Sequence, residues 1–278
     1  MELTSPKIIK ELLAKYQTRP SKGLGQNFLI DKNILEKIID SADIKPTDIV
    51  LEVGPGMGVL TQELAKKAKR VIAVEKDETM IEILKETINN YKNLEVIQGD
   101  ILKTDLKLPK KYKVIANIPY YITAPLIRFL LENKNQPEEI ILMLQKEVAQ
   151  RICPSTSLRA GSNPHMSLLA VSVQFYAQPK IVSYVSKGCF WPSPKIDSAI
   201  IKITPTKKYD LASELFFKIV KAGFSHPRKQ LAGNLSQALD IKKEKTAEWL
   251  AQNKINPTQR AETLSIDSWI ALAKSFSA

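Results

Sequence analysis

Residues suited to disulfide or metal chemistry are scarce. The 278-residue chain has two cysteines, Cys153 and Cys189, and two histidines, His165 and His226. The cysteines lie far apart and form no CxxC pair, so the spacing of a structural zinc site is missing and no metal is expected. No apolar run approaches the ~18–20 residues needed to cross a bilayer, so no membrane span is expected. The segment MELTSPKIIKELLAKYQ lacks the long apolar centre of a secretion signal. These absences point to a cytoplasmic, reduced protein. Acid is in short supply too. Against 41 Lys and Arg stand 29 Asp and Glu, a formal charge of +12. Such an excess suits a polyanionic partner, most often nucleic acid; a basic surface that serves solubility alone is the other reading.

Apolar residues make up 44% of the chain, enough for a packed core. Short apolar runs at Ile49–Val53, Arg70–Glu75, Leu94–Ile97, Lys113–Asn117 and Glu139–Leu144 alternate with helix-periodic segments such as Val59–Lys69 and Glu78–Asn90. That alternation predicts an α/β fold, a parallel sheet with helices on both faces. Further on, Ala170–Ala177 and Ser198–Thr204 read as strands of an antiparallel edge. CPSTSLRAGSNPH, from Cys153 to His165, reads as a mobile loop. TPTKKYD reads as a linker, so the expected boundary lies between a catalytic domain of residues 1–205 and a helical domain of residues 206–278. The second is predicted to hold helices at Leu211–Gly223, Arg228–Asp240, Lys243–Asn253 and Ile266–Lys274. With 12 basic and 7 acidic residues, its net charge is +5.

VLEVGPGMGVLTQEL places Gly54, Gly56 and Gly58 after the first of these strands and before a helix. Glycines there let the backbone approach a ligand, beside the free N–H groups of a helix start. Gly-x-Gly-x-Gly is tighter than the Gly-x-Gly-x-x-Gly loop that seats a pyrophosphate. It suits a ligand without phosphates, such as S-adenosylmethionine. Glu75 closes the next strand, where a carboxylate can accept both hydroxyls of a ribose. Asp100 ends the third, where it can accept from the amino group of an adenine, with Ile101 as an apolar face for the ring. Each acid alone also fits a solvated strand-end charge. Three such features at the C-terminal ends of successive strands mark the edge where open α/β sheets bind ligands.

The fourth strand, KVIAN, runs into Ile118-Pro119-Tyr120 on the same edge. Methyl transfer to an exocyclic amino group of a nucleobase needs little base strength, because the proton becomes acidic once the methyl has arrived. It does need two acceptors that grip the N–H bonds and favour a tetrahedral nitrogen. The Asn117 side-chain oxygen and a backbone carbonyl beside Pro119 can supply them. Tyr120 offers a face on which an extracted base can stack.

With these motifs in order, the chain resembles the ribosomal RNA adenine N6,N6-dimethyltransferases, the KsgA-type small-subunit enzymes. KGLGQNFLID, LEVGPGMGVLT, AVEKD, GDIL, NIPYYIT, FWPSPKIDSAII, FSHPRKQLAGNL and RAETLSIDSW carry the resemblance across nearly the whole length. It implies a Rossmann-like class I S-adenosylmethionine-dependent methyltransferase sheet with a small all-helical C-terminal domain. It implies that Asn27 and Leu29 close over the methionine end of the cofactor with Gly54, Gly56 and Gly58. Glu75, Lys76, Asp100 and Ile101 would hold its nucleoside. Asn117, Pro119 and Tyr120 would receive the target adenine, Asn117 also bordering the cofactor, and Phe190 would stack on the adenine's other face. Read without the family, Phe190 fits a core position equally well. The implied partner is the small ribosomal subunit through its 16S rRNA, modified at two adjacent adenosines. Lys22, Lys195, Arg228 and Lys229 are the candidate RNA contacts, with the N-terminal Lys7, Lys10, Lys15 and Arg19 as a basic tail. CPSTSLRAGSNPHMSLLAVSVQ departs from the family in being longer and less charged. Pro227 departs too, standing where relatives often carry a basic residue and fitting the first turn of a helix.

Other activities are compatible with these motifs. A large-subunit methylase of the erythromycin-resistance type shares the chemistry, though GLGQNFL and RKQL favour the small-subunit branch. A DNA adenine methylase would need a larger recognition domain than ~70 residues. An RNA-binding assembly factor would not need its catalytic residues. No exposed coiled-coil pattern suggests anything beyond a monomer.

Overall fold

The computed structural model of the chain describes residues 1–153, 166–206 and 208–276. Apart from Cys153, the loop expected over Cys153–His165 lies outside the described residues. Helices α1 (Pro6–Lys15) and α2 (Lys32–Ser41) flank the short strand β1 (Phe28–Leu29). Then follow β2 (Ile49–Val53), α3 (Val59–Lys67), β3 (Arg70–Glu75), α4 (Glu78–Thr87), β4 (Leu94–Gln98) and β5 (Lys113–Asn117). A single 3-10 turn, Tyr120–Ile122, leads into α5 (Thr123–Glu132), β6 (Glu139–Gln145) and α6 (Lys146–Ile152). After the break come α7 (Leu168–Tyr176), β7 (Ala177–Val185), β8 (Phe190–Trp191) and β9 (Ser198–Pro205). Four helices close the chain: α8 (Ser213–Gly223), α9 (Leu231–Leu239), α10 (Lys243–Gln252) and α11 (Ile266–Ser275).

Seven strands form one sheet in the order β4-β3-β2-β5-β6-β9-β7. From β4 to β6 the pairs are parallel, and β9 runs antiparallel to β6. The central strands are near-continuous apolar runs because helices cover both faces; Ile140–Leu144 of β6 are all buried. The chain winds outward from β2 through β3 to β4, then returns to lay β5 on the other side of β2. This reversal opens a crevice at the C-terminal ends of β2 and β5, where sheets of this kind bind ligands.

Two compact units result: Met1–Ala149 with Gln178–Pro205, and Gln150–Ala177 with Thr206–Ala278. The first unit ends at Pro205 and the second resumes at Thr206. Residues 150–177, read from the sequence as part of the first domain, belong instead with the C-terminal helices. The same stretch corrects the strand expected over Ala170–Ala177. LLAVSVQFY forms α7, started by Ser167, whose hydroxyl accepts from the Ala170 N–H at 3.2 Å. A short, nearly continuous apolar run has no period to separate strand from helix. Here Ala170, Val171 and Phe175 pack among Phe216, Ile219 and Trp269, with the Phe175 and Phe216 rings stacked 4.2 Å apart. The second unit is thus all helical among its described residues.

The basic N-terminal tail is also corrected. Lys7, Lys10 and Lys15 ride on α1, which buries Ile9, Leu12 and Leu13. Lys15 pairs with Glu86 at 2.7 Å and Lys10 lies 5.6 Å from the Trp191 ring centre. The helix expected from Arg228 starts at Leu231, so Arg228 and Lys229 lie in the preceding turn, closed by Lys229 N–H on the His226 carbonyl at 2.9 Å. Pro227 occupies that turn and not a helix.

Candidate functional site

A cavity opens at the crevice between β2 and β5. Its wall takes Gly54 and Gly56 from the loop after β2, and Glu75 and Lys76 from the end of β3. Asp100 and Ile101 follow β4, and Asn117, Pro119 and Tyr120 come from β5 and its turn. Asn27 and Leu29 close one side, and Phe190 lines it as well. Strand β1 pairs antiparallel with β8, Leu29 opposite Phe190 and Phe28 opposite Trp191, and the Ile30 N–H reaches the Cys189 carbonyl at 2.9 Å. Leu29 and Phe190, 161 positions apart in sequence, thus share a wall of the cavity.

Gly58 does not line it. With φ of +92° it faces α4, and a Cβ there would stand 2.8 Å from Leu84 Cδ1 and 3.2 Å from Ile88 Cγ2. The third glycine of the motif serves the close packing of α3 on α4, a correction to its assignment as a ligand contact. Gly54 and Gly56 also have positive φ and do face the cavity.

Glu75 is held by its own loop. Oε1 accepts from the Lys76 and Asp77 N–H groups at 2.7 and 2.9 Å, and Oε2 from the Gly56 N–H at 3.0 Å. A carboxylate has about four acceptor positions, so the capacity left for a ligand hydroxyl is concentrated on Oε2. Burial raises the Glu75 pKa, against the pull of its three backbone donors. Asp100 accepts from the Leu102 N–H at 3.1 Å and pairs with Lys76 Nζ at 3.1 Å. The Leu102 N–H foremost holds its pKa below the ordinary range.

Asn117 donates from Nδ2 to the Asn27 carbonyl at 3.5 Å. Among the described residues no donor reaches its Oδ1, nor the Ile118 carbonyl. The Pro119 carbonyl, by contrast, is taken by the Ile122 N–H at 3.2 Å. Asn117 Oδ1 and the Ile118 carbonyl are thus the unclaimed acceptors at this strand end. Tyr120 shares a 2.6 Å hydrogen bond with Ser198 at the start of β9, and burial raises its pKa, so it stays protonated at neutral pH. Phe190 is 3% exposed and belongs to the hydrophobic core of the first unit, while one side of it lines the cavity. The core position read for Phe190 is what the fold gives it; its stacking on a base stays a proposal.

Several cavity residues escape sequence reasoning. Gln26 accepts from the Ser21 N–H and donates to Asp77 Oδ2, each at 2.8 Å, fastening the N-terminal segment to the cap of α4. Glu52 is 2% exposed and its Oε2 has no partner among the described residues. Its position before the glycines was the available signal. Among the described residues that line it, the Glu75 and Asp100 carboxylates stand against the cation Lys76, itself paired with Asp100, while burial keeps the Glu52 carboxyl protonated at neutral pH. In a chain of charge +12, this acidic lining favours a cationic, phosphate-free ligand.

The Ribosomal RNA adenine dimethylase family model matches residues 4–278. The chain belongs to the ribosomal RNA adenine dimethylase family. The Ribosomal RNA small subunit methyltransferase A of Dehalococcoides mccartyi is 46% identical over 267 residues, covering 94% of this chain and 89% of that protein. The crystal structure of a dimethyladenosine transferase from Plasmodium falciparum is 30% identical with a TM-score of 0.70, covering 88% of this chain and 95% of that one. That of the 23S rRNA methyltransferase ErmE has the same TM-score at 25% identity, covering 89% and 98%. Fold is shared across both branches of rRNA methyltransferase; sequence leans to the small-subunit branch.

The four candidate RNA contacts of this dimethylase-family chain, Lys22, Lys195, Arg228 and Lys229, are all exposed. They lie outside the cavity, Lys22 and Lys195 in the first unit, Arg228 and Lys229 in the second. Among the described residues no cluster of three His, Cys, Asp or Glu side chains could hold a metal ion, and no helix is long and apolar enough to cross a membrane.

Proposed function

We propose that this protein dimethylates N6 of two adjacent adenosines in a loop near the 3' end of 16S rRNA, using S-adenosylmethionine, during assembly of the small ribosomal subunit in the cytoplasm. The observation that carries this reading is the pair of unclaimed acceptors, Asn117 Oδ1 and Ile118 O, at the C-terminal end of β5 in an acidic crevice.

The residues present fit the cofactor. Glu75 Oε2 accepts from a ribose hydroxyl, and Asp100 accepts from the adenine amino group while Ile101 packs on the ring. Asn27, Leu29, Gly54 and Gly56 border the methionine end. When bound, S-adenosylmethionine supplies an electrophilic methyl group on a cationic sulfonium. Asn117 Oδ1 and Ile118 O each accept one N–H of the target amine, which turns its lone pair out of conjugation with the ring. Neither needs to be basic, since the departing proton leaves an already methylated, cationic nitrogen for water. After one transfer the amine retains a single N–H, which one of the two acceptors can still hold, so a second transfer uses the same site. Tyr120, held by Ser198, gives the base a stacking face, and Phe190 backs the pocket. Arg228 and Lys229 of the helical unit, with Lys22 and Lys195, contact phosphates. The protein works as a monomer.

The 46% identity to a small-subunit enzyme, against 25% to a 23S rRNA enzyme, favours the 16S substrate. The test is transfer of labelled methyl from S-adenosylmethionine to unmethylated small subunits, large subunits and naked DNA, followed by nucleoside analysis. Dimethyladenosine in small-subunit RNA alone is the expected result. Label in large-subunit RNA would move the protein to the resistance branch, and cofactor binding without transfer would leave a role in assembly only.

A further inference from the structure

Large hydrophobic side chains are exposed at few places among the described residues: Met1, Tyr121, Val182, Tyr184 and Ile196. Tyr121 borders the cavity. Val182 and Tyr184 lie together on β7, outside the lining of that cavity. Strand β7 stands at the edge of the sheet beside β9. Along it, Gln178, Lys180, Val182 and Tyr184 are exposed at alternate positions, with Ile181 and Ser183 half-buried between them. The period of two puts the exposed four on one open face. Lysines alone would be explained as protection of a sheet edge against pairing with other chains. A valine and a tyrosine turned to solvent on the face of the strand are not.

This face is basic and carries a ring. Lys146 Nζ lies 5.2 Å from the Tyr184 ring centre, and Tyr184 itself is 51% exposed. Lys187 and Lys195 are exposed nearby, and neither they, Lys146 nor Lys180 has a carboxylate within ion-pair distance among the described residues. The acids at hand are Glu147 and Asp197, and the Asp197 carboxylate accepts the Lys187 N–H at 3.1 Å. The region is also tied to the target pocket. The Asp197 carbonyl accepts the Lys146 N–H at 3.1 Å, and the next residue, Ser198, holds Tyr120 at 2.6 Å. The Asp197–Ser198 dipeptide thus joins Lys146, beside the Tyr184 ring, to the residue that holds Tyr120.

We propose that the open face of β7, centred on Tyr184 and flanked by Lys146, Lys180, Lys187 and Lys195, is a stacking and phosphate-binding surface. Its occupant is the single-stranded RNA segment adjoining the adenosine under modification. This rests on the rRNA reading given above. Stacking of an unpaired base on an aromatic ring is indifferent to sequence, and neighbouring lysines neutralise the phosphates on either side. A loop adenosine drawn into a pocket leaves its neighbours unstacked, and this face offers the next one a partner.

The test is fluorescence anisotropy with a labelled, unmethylated rRNA hairpin carrying two adjacent loop adenosines, on the full chain and its variants, with cofactor affinity and methyl transfer measured alongside. Tyr184→Ala is expected to weaken hairpin binding about tenfold and raise KM for RNA, with cofactor affinity and kcat unchanged. Tyr184→Phe keeps wild-type affinity. Lys187→Gln lowers the slope of log affinity against log salt by about one. Unchanged hairpin affinity in Tyr184→Ala overturns the proposal. So does a loss seen with intact small subunits and not with the hairpin, which would make a ribosomal protein the occupant. If the wild type binds the hairpin but transfers no methyl group, the rRNA methylation reading fails, while the anisotropy of the variants still decides the surface.

Discussion

Asn117 sits where chemistry and sequence meet. Its Nδ2 is committed to the Asn27 carbonyl, which fixes which end of the amide turns to the target. Asn117→Ala should abolish most methyl transfer and leave S-adenosylmethionine affinity within about twofold, a split that equilibrium binding and single-turnover rates would resolve. Glu75 should behave in the opposite sense. Glu75→Ala also strips acceptors from three backbone N–H groups, so cofactor affinity should fall first, by at least about tenfold, in titration calorimetry. The strand-end placement of both residues was readable from the sequence. That Glu75 spends most of its acceptor capacity on its own loop was not, because the backbone donors come from two separate turns.

Glu52 yields a prediction in pH. Burial pushes its carboxyl up to about 8 from an ordinary 4.5. Between these values the folded protein keeps a proton that the unfolded chain has released. The stability this confers is complete below the lower value and is lost as pH rises through the upper one. Glu52→Gln should therefore flatten the fall in denaturation midpoint between pH 5 and pH 8, and at pH 8 should stabilise the ligand-free protein by on the order of 1–3 kcal/mol. An unaltered pH dependence in that variant would show that Glu52 ionises freely in the fold.

At the scale of elements, the glycine motif divides its labour. Gly54 and Gly56 shape the cavity wall, while Gly58 lets α3 close on Leu84 and Ile88 of the α4 end. Gly58→Ala should cost about 1–3 kcal/mol in urea or thermal melts, from the left-handed backbone and the clash together. Cofactor affinity per folded molecule should change little. Spacing alone gave the three glycines one role; the tertiary neighbours of each separate them. Helix α7 makes the same point. LLAVSVQFY is as apolar as a buried strand, and only the cluster around Phe216 and Trp269 makes it a helix. The parallel strands were legible to within a residue, because runs such as IVLEV and KVIAN are bounded by glycine, asparagine and proline.

At the scale of the molecule, a charge of +12 coexists with an acidic cavity. The exterior should govern RNA affinity and the interior cofactor affinity, with different responses to salt. Raising salt from about 50 to 200 mM should weaken rRNA binding by about a hundredfold or more, while S-adenosylmethionine binding shifts by less than about threefold because the Glu75 carboxylate is buried. Filter binding and calorimetry across the same salt series would check this. The helical unit has its own core and its own sensitivity. A Cβ at Gly223 would collide with Trp269 Cη2, so Gly223→Ala should destabilise that unit by about 1–3 kcal/mol.

The sequence by itself determined the fold class, the order of the central strands along the chain, and the chemistry available at their ends. Those follow from local pattern: apolar period, turn residues and the acid or amide that closes each strand. Only the tertiary structure decided which residues share a wall. The β1–β8 pairing sets Phe190 beside Leu29, the Asp197–Ser198 dipeptide joins Lys146 and Tyr120, and α7 leaves the catalytic unit for the helical one. Each depends on contacts between segments far apart in the chain, for which no periodicity within a segment carries information.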